Sequence, residues 1–297
     1  MDKNKGILFI AISALMFGSY GVWSRLIGSS FGLFYQGWTR ALIISVVLLP
    51  ILFWNKQIVP IAKKDWGWLG LFLIFTSCTQ APLFYAFNHM DIGSATLLFF
   101  VSMLITMYLF GIFFLGEKLT KIKIISFILA AIGMYVIFSF SLVAFSLLAA
   151  LMAIINGIAS GGEVSSSKKL SGNYSPLYIT WLSWVIIFIT NTPVSFLLGE
   201  TQYLPSLNMV WLYQIGYVIS SILGFWLVIK GLKYVEASAG GLIGLLEIVF
   251  SIFLGIIIFN EHLTLKIICG AILVILAVSM PHVNELLNRN KNIRTRS

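Results

Sequence analysis

Charge is what this sequence has least of. Asp, Glu, Lys and Arg make up only 10% of its 297 residues, and just ten are acidic, against about 25% charged residues in an average soluble domain. Such a chain cannot coat a globular surface with polar groups. It is also too apolar to stay disordered, and a nucleic-acid binder is excluded on the same grounds. Cysteine is nearly absent: Cys78 and Cys269 stand in separate apolar runs, with no CxxC pattern. They read as two small buried hydrophobes. His89, His262 and His282 are scattered, so no metal site is expected. There is no Walker loop and no dinucleotide fingerprint, so no ATP-driven step and no cofactor is expected. Gly28-Ser29-Ser30-Phe31-Gly32 matches GxSxG formally, but it joins two apolar runs rather than a strand to a helix, and is not a nucleophile elbow.

What is present is apolar length. Ten runs occupy 6–27, 33–54, 66–89, 92–115, 122–138, 142–166, 176–198, 209–230, 237–259 and 263–280. Each approaches or exceeds the ~20 residues that cross a hydrocarbon core. Ten spans leave roughly 97 residues for nine connections and two tails, too few for a soluble domain. Barrel strands would need ten-residue polar–apolar alternation, which is not visible. The first run follows Asp2-Lys3-Asn4-Lys5 and is too long for a signal-peptide core, so it reads as a retained helix. The chain is an all-α, polytopic membrane protein with the lipid bilayer as its first partner.

The net charge of +9 has a topological cause. With an inner N-terminus, 16 of the 19 basic residues fall in segments on the cytoplasmic side: Lys3, Lys5, Lys56, Lys63, Lys64, Lys118, Lys121, Lys123, Lys168, Lys169, Lys230, Lys233, Arg289, Lys291, Arg294 and Arg296. The outer connections hold only Lys266, while Arg25 and Arg40 lie within spans. Basic residues stay inside, so both termini are expected in the cytoplasm.

The chain repeats itself. Tyr35, Trp38 and Pro50 recur as Tyr178, Trp181 and Pro193, and Trp68-Leu69 as Trp211-Leu212, all shifted by 143. Gly116-Glu117-Lys118-Leu119-Thr120 returns as Asn260-Glu261-His262-Leu263-Thr264, and Asp91 as Glu236. Two halves of five spans, 1–140 and 141–284, precede a basic cytoplasmic tail, 285–297. Because five is odd, the second half enters from the opposite face. Such inverted repeats mark secondary transporters, which bind substrate near the midplane between the repeats.

These residues carry a resemblance. With Tyr85-Ala86-Phe87-Asn88-His89-Met90-Asp91 and Ala237-Ser238-Ala239-Gly240-Gly241, the two Glu-containing ends make the whole chain similar to ten-helix drug/metabolite transporters of the EamA-like type. The resemblance implies a cytoplasmic N-terminus, two five-helix halves and, in many members, export of amino acids or other small metabolites. Similar proteins often carry a proline midway along spans four and nine. Here Ile248 follows Glu247 and span four has no proline, so neither span has one to bend it. Pro82, Pro176 and Pro193 remain as sources of kinks.

Ionisable side chains inside lipid cost roughly 2.5–3.5 kcal/mol at a helix centre, and they tend to face cavities. Glu247, mid-span, reads as a partner for a substrate ammonium or a proton-coupling carboxyl, or else as a structural hydrogen bond. Arg40 could meet a substrate carboxylate bidentately or snorkel outward. Arg25 reads as an interfacial anchor or a gating residue, and Glu163 as a structural partner of Lys168 or part of a cavity entrance. Gln80, Asn156, Ser160, Ser220 and Ser221 could rim one cavity with Glu247, or could join helices. Tyr20, Tyr85, Trp184 and Tyr217 would supply aromatic walls. The expected activity is secondary transport, most naturally export, of a small-molecule substrate across a bacterial inner membrane, coupled to protons, an ion or the solute gradient. An intramembrane enzyme and a channel are the alternatives. The sequence admits a monomer or a homodimer.

The topology is tested by cysteine labelling in a background lacking Cys78 and Cys269. Single cysteines at 56–64 and in the tail should react only with reagent supplied from the cytoplasmic side. Reaction of the tail from outside would end the ten-span reading.

Overall fold

A chain crossing lipid must satisfy its backbone hydrogen bonds internally, which leaves the α-helix as the spanning form for these runs. The computed structural model of the chain describes residues 2–138 and 146–294; among them there is no strand. Ten helical stretches are long and apolar enough to cross a bilayer. The first span is α1 (Asp2–Gly18) with α2 (Tyr20–Ile27), the second α3 (Leu33–Trp54), and the third α4 (Trp66–Ser77) with α5 (Ala81–His89). Spans four to eight are α6 (Ile92–Leu115), α7 (Lys121–Phe138), α8 (Leu147–Leu170), α9 (Pro176–Leu197) and α10 (Met209–Leu232). The ninth is α11 (Ala237–Gly244) with α12 (Leu246–Phe259), and the tenth α13 (Leu265–Arg294). The junction expected at 140/141, the expected start of span six at 142, and tail residue Arg296 lie outside the described residues.

The outside of the bundle is as apolar as its core. Val46, Phe53, Phe113, Ile128 and Phe253 are exposed, as lipid-facing positions should be. This corrects the cysteine expectation: Cys269 is exposed and Cys78 only half-buried. A small hydrophobe gains nothing from burial when the surrounding solvent is hydrocarbon.

Polar groups gather at the two ends and tie the connections together. At one end Gln57 accepts from Ser175 Oγ at 2.7 Å, and Asp65 accepts from Tyr174 and Asn173. Lys168 Nζ donates to the carbonyl oxygens of Leu232, at 2.7 Å, and Val235. Buried Glu117 accepts from the backbone N–H of Ala237 and Ser238 and from the Ser238 hydroxyl at 2.5 Å. A carboxylate on the first amides of α11 is well placed against the positive end of that helix. Lys123 bridges to Glu236 at 2.6 Å. At the other end Glu200 accepts from the backbone N–H of Phe34 and Tyr35, at 3.1 and 2.6 Å. Arg25 there pairs with Glu261 at 2.5 Å, both about half exposed. Glu117 meets the start of the ninth span and Glu261 follows its end, so these two glutamates occupy opposite ends of the bundle.

The internal repeat reappears as contacts. A Cβ on Gly161 would lie 2.6 Å from the Met103 carbonyl oxygen and 2.9 Å from Thr106 Cβ; one on Gly18 would lie 2.9 Å from the Glu247 carbonyl oxygen and 3.1 Å from Phe250 Cβ. All three residue pairs, Gly18 and Gly161, Met103 and Glu247, Thr106 and Phe250, are separated by 143 or 144. Gly157 and Gly161 pack against the fourth span, so this small-residue stripe joins helices within the chain, as small residues do in lipid.

Gly161→Ala should therefore separate α6 from α8, costing about 1–3 kcal/mol as overpacking does. Gly70, with nothing near an added Cβ, should tolerate alanine or gain a few tenths of a kcal/mol. Thermal unfolding of the two purified variants checks this, and equal midpoints would contradict it.

Candidate substrate site

Two spans are interrupted inside the bundle, the third at 78–80 and the ninth at Leu245, whereas the first runs on through Ser19, whose N–H bonds the Leu15 carbonyl at 3.1 Å. The third follows from proline chemistry, because Pro82 opens α5 as one of its first two residues, where its missing N–H does no harm. The carbonyl of Thr79 freed there accepts from Asn156 Nδ2. The ninth breaks without proline. Gly240, Gly241 and Gly244 precede the break, and Leu245 and Ile248 each bond three residues back, at 3.1 and 3.0 Å, the tighter 3₁₀ pattern. The fourth span, also proline-free, is continuous. Without proline span four is unbroken, whereas span nine is not, because glycines supply the freedom there. In the first span Ser19 Oγ donates to the Met16 carbonyl at 2.6 Å. The first span meets the interruption of the ninth, since Gly18 lies against the Glu247 carbonyl.

Beside this junction sits Arg40, about 10 Å into the second span at 1.5 Å per residue. It is only 3% exposed. Its guanidinium carbon lies 3.8 Å from the Tyr217 ring centre, 5.2 Å from Trp184 and 5.5 Å from Tyr20. The outward snorkelling considered for Arg40 does not occur. Tyr20 meets Tyr217 edge-on with ring centres 4.7 Å apart, and the Glu247 carbonyl lies against Gly18, two residues before Tyr20. Ser221 Oγ donates to the Tyr217 carbonyl at 2.7 Å, while Ser220 takes the indole N–H of Trp23 at 2.9 Å and the Ser19 hydroxyl at 3.0 Å. Arg40, Tyr20, Trp184, Tyr217, Ser220, Ser221 and Glu247 thus form one neighbourhood drawn from both halves.

The remaining expected residues are elsewhere. Gln80 Oε1 and Asn191 Nδ2 flank Gly37 on the second span. Asn156 is committed to the third-span break, Ser160 is half-buried beside Gly161, and neither bonds Glu247. Tyr85 stacks on His89 with ring centres 4.1 Å apart, away from Arg40. Glu163 does not pair with Lys168. Its Oε1 accepts from Thr76 at 2.9 Å and Ser183 at 2.7 Å, joining spans three, six and seven, while Lys168 caps the end of the eighth span. Sequence reasoning missed Thr39 and Gln214, whose Nε2 donates to the Gln36 carbonyl at 2.8 Å and Thr39 at 3.0 Å. Mid-span polar residues next to Arg40 were the available signal. A cleft of about 530 Å³ between Pro205 and Ile215 contains none of these residues.

A model of the EamA-like transporter family matches residues 4–139 and again 147–280. An uncharacterized transporter of Archaeoglobus fulgidus is 23% identical over 276 residues, covering 91% of this chain and 93% of that protein. The uncharacterized transporter YojE of Bacillus subtilis is 24% identical over 271 residues, covering 88% and 87%. A crystal structure superposes with a TM-score of 0.76 at 15% identity, covering 93% of this chain and 97% of that one, a likeness of fold.

Replacing Glu163 separates packing from charge. Glu163→Ala leaves the buried Ser183 hydroxyl without an acceptor, while Thr76 keeps the Phe72 carbonyl at 2.9 Å, and should cost about 2–3 kcal/mol, whereas Glu163→Gln keeps one carbonyl oxygen and should cost about 1 kcal/mol or less. Unfolding midpoints decide, and a harmless alanine would contradict the structural role.

Proposed function

The chain belongs to the EamA-like transporter family and is a multi-pass membrane transporter, and on that basis we propose that it exports small organic metabolites such as amino acids by alternating access. The observation that supports this is the meeting of the first span with the interrupted ninth at Gly18 and Glu247, close to Arg40, in a neighbourhood built from both halves. Interrupted helices at a repeat interface are where secondary transporters hold substrate and coupling ions. An interrupted helix can also hinge without sacrificing a whole ladder of hydrogen bonds.

In the proposed cycle two inverted halves rock about this neighbourhood. At one end the closing contacts are the Glu117 cap on α11 and the Lys123–Glu236 pair; at the other end, the Arg25–Glu261 pair. In this reading the membrane is a bacterial inner membrane, and the basic segments support a cytoplasmic Glu117 end with both termini on that side. Glu247, half-buried and without a hydrogen-bond or ion-pair partner among the described residues, is the group proposed to couple transport to protons or to an ion.

Metabolite profiling of cells with and without the protein identifies the solute, and flux of that solute into proteoliposomes tests the activity. Glu247→Gln should abolish gradient-driven flux while leaving folded protein in the membrane. Comparable flux from the glutamine variant across about pH 5.5 to 8 would remove Glu247 from coupling.

A further inference from the structure

Arg40 has a guanidinium almost wholly withdrawn from solvent, yet no carboxylate lies within ion-pair distance of it among the described residues. Its Nε has no acceptor, and neither has the indole Nε1 of Trp184 at its side. Both atoms can only donate. Around them stand the faces of Tyr20, Trp184 and Tyr217. Rings ease the burial of a cation by about 0.5–2 kcal/mol each, less than the several kcal/mol that burying an uncompensated charge costs. The repeat does not demand this charge, since the position 143 residues on is Ser183. There the equivalent of Tyr20 is Glu163, and Ser183 bonds that carboxylate directly. Ser183 is thus answered at the place where Arg40, its counterpart in the first half, is left with an unanswered donor.

We propose that Arg40, with the indole N–H of Trp184, receives the carboxylate of the transported solute, so that the substrates are small organic carboxylates whose apolar parts lie against Tyr20 and Tyr217. This rests on the transporter reading and narrows it. Guanidinium and carboxylate match as a planar two-bond fork. One guanidinium also balances one negative charge, whereas a phosphate dianion would retain a second in a water-poor site. Where the solute also carries an ammonium group, Glu247, whose backbone lies against Gly18 two residues before Tyr20, is the carboxylate proposed to meet it.

The test uses the purified full chain, with unfolding followed by tryptophan fluorescence. The probes are acetate, benzoate, 3-phenylpropanoate and L-phenylalanine, each beside its amide, and inorganic phosphate. At least one carboxylate should raise the wild-type midpoint by about 2–4 °C at saturating concentration, with its amide inert. Arg40→Lys, which keeps the charge and loses the fork, should need at least tenfold more ligand for the same shift. Arg40→Met should not respond, and should unfold no lower than ligand-free wild type because a lone buried charge has been removed. Equal response to acid and amide, no response to any carboxylate, a larger response to phosphate, or an unchanged response in the two variants would each overturn the proposal. Proteoliposome flux keeps the two readings apart. Flux without a carboxylate preference overturns this inference and leaves transport standing, whereas carboxylate binding without flux does the reverse.

Discussion

Hydrocarbon offers no hydrogen bonds, and nearly every feature of this molecule answers to that constraint. Helices follow because they close their own backbone ladder. Where a ladder is cut, a partner must be supplied: Asn156 serves the Thr79 carbonyl, and Glu117 serves the first amides of α11. Glu200 does the same for the start of the second span. These polar side chains are few, and most have an identifiable backbone or hydroxyl partner. Among the ten buried side-chain atoms without a partner in the described residues, the Nε of Arg40 is the one on a permanently charged group, and the unanswered indole of Trp184 lies beside it.

The architecture was legible because its signals are long-range and redundant. Ten apolar runs give ten spans, with ends that move by a few residues, such as span six starting at Leu147. The shift of about 143 residues in the sequence returns as paired contacts, Gly18 on Glu247 and Gly161 on Met103. The site was legible only in part. Arg40, Tyr20, Trp184, Tyr217 and Glu247 were recognisable because charge and large rings are unusual at such depth. Their grouping was not, since helix rotation decides it. Gln80 and Asn156 sit at plausible depth yet serve the third-span break and its surroundings, and Glu163 finds hydroxyls on two other spans in place of the nearby Lys168. The break at Leu245 was also hidden, because glycine permits a break without dictating one.

The two halves matched by the family model are not alike. The fourth span is continuous where the ninth is cut, and Met103 in the fourth occupies the position that Glu247 holds in the ninth. The two ends differ likewise: a buried, multiply bonded carboxylate against a half-exposed ion pair. Exposed pairs contribute little, about 0–1 kcal/mol, so in the proposed cycle the Arg25–Glu261 end opens at less cost than the Glu117 end.

The central claim is that one neighbourhood, shared by both halves, is reached alternately from the two sides of the membrane. The direct measurement places a single cysteine at Ser221 in a protein lacking Cys78 and Cys269, and labels it with an impermeant thiol reagent in right-side-out and in inverted vesicles. The account predicts reaction in both preparations, without conductance for small ions. Reaction from one side only, or an open ionic leak through the purified protein, would contradict it.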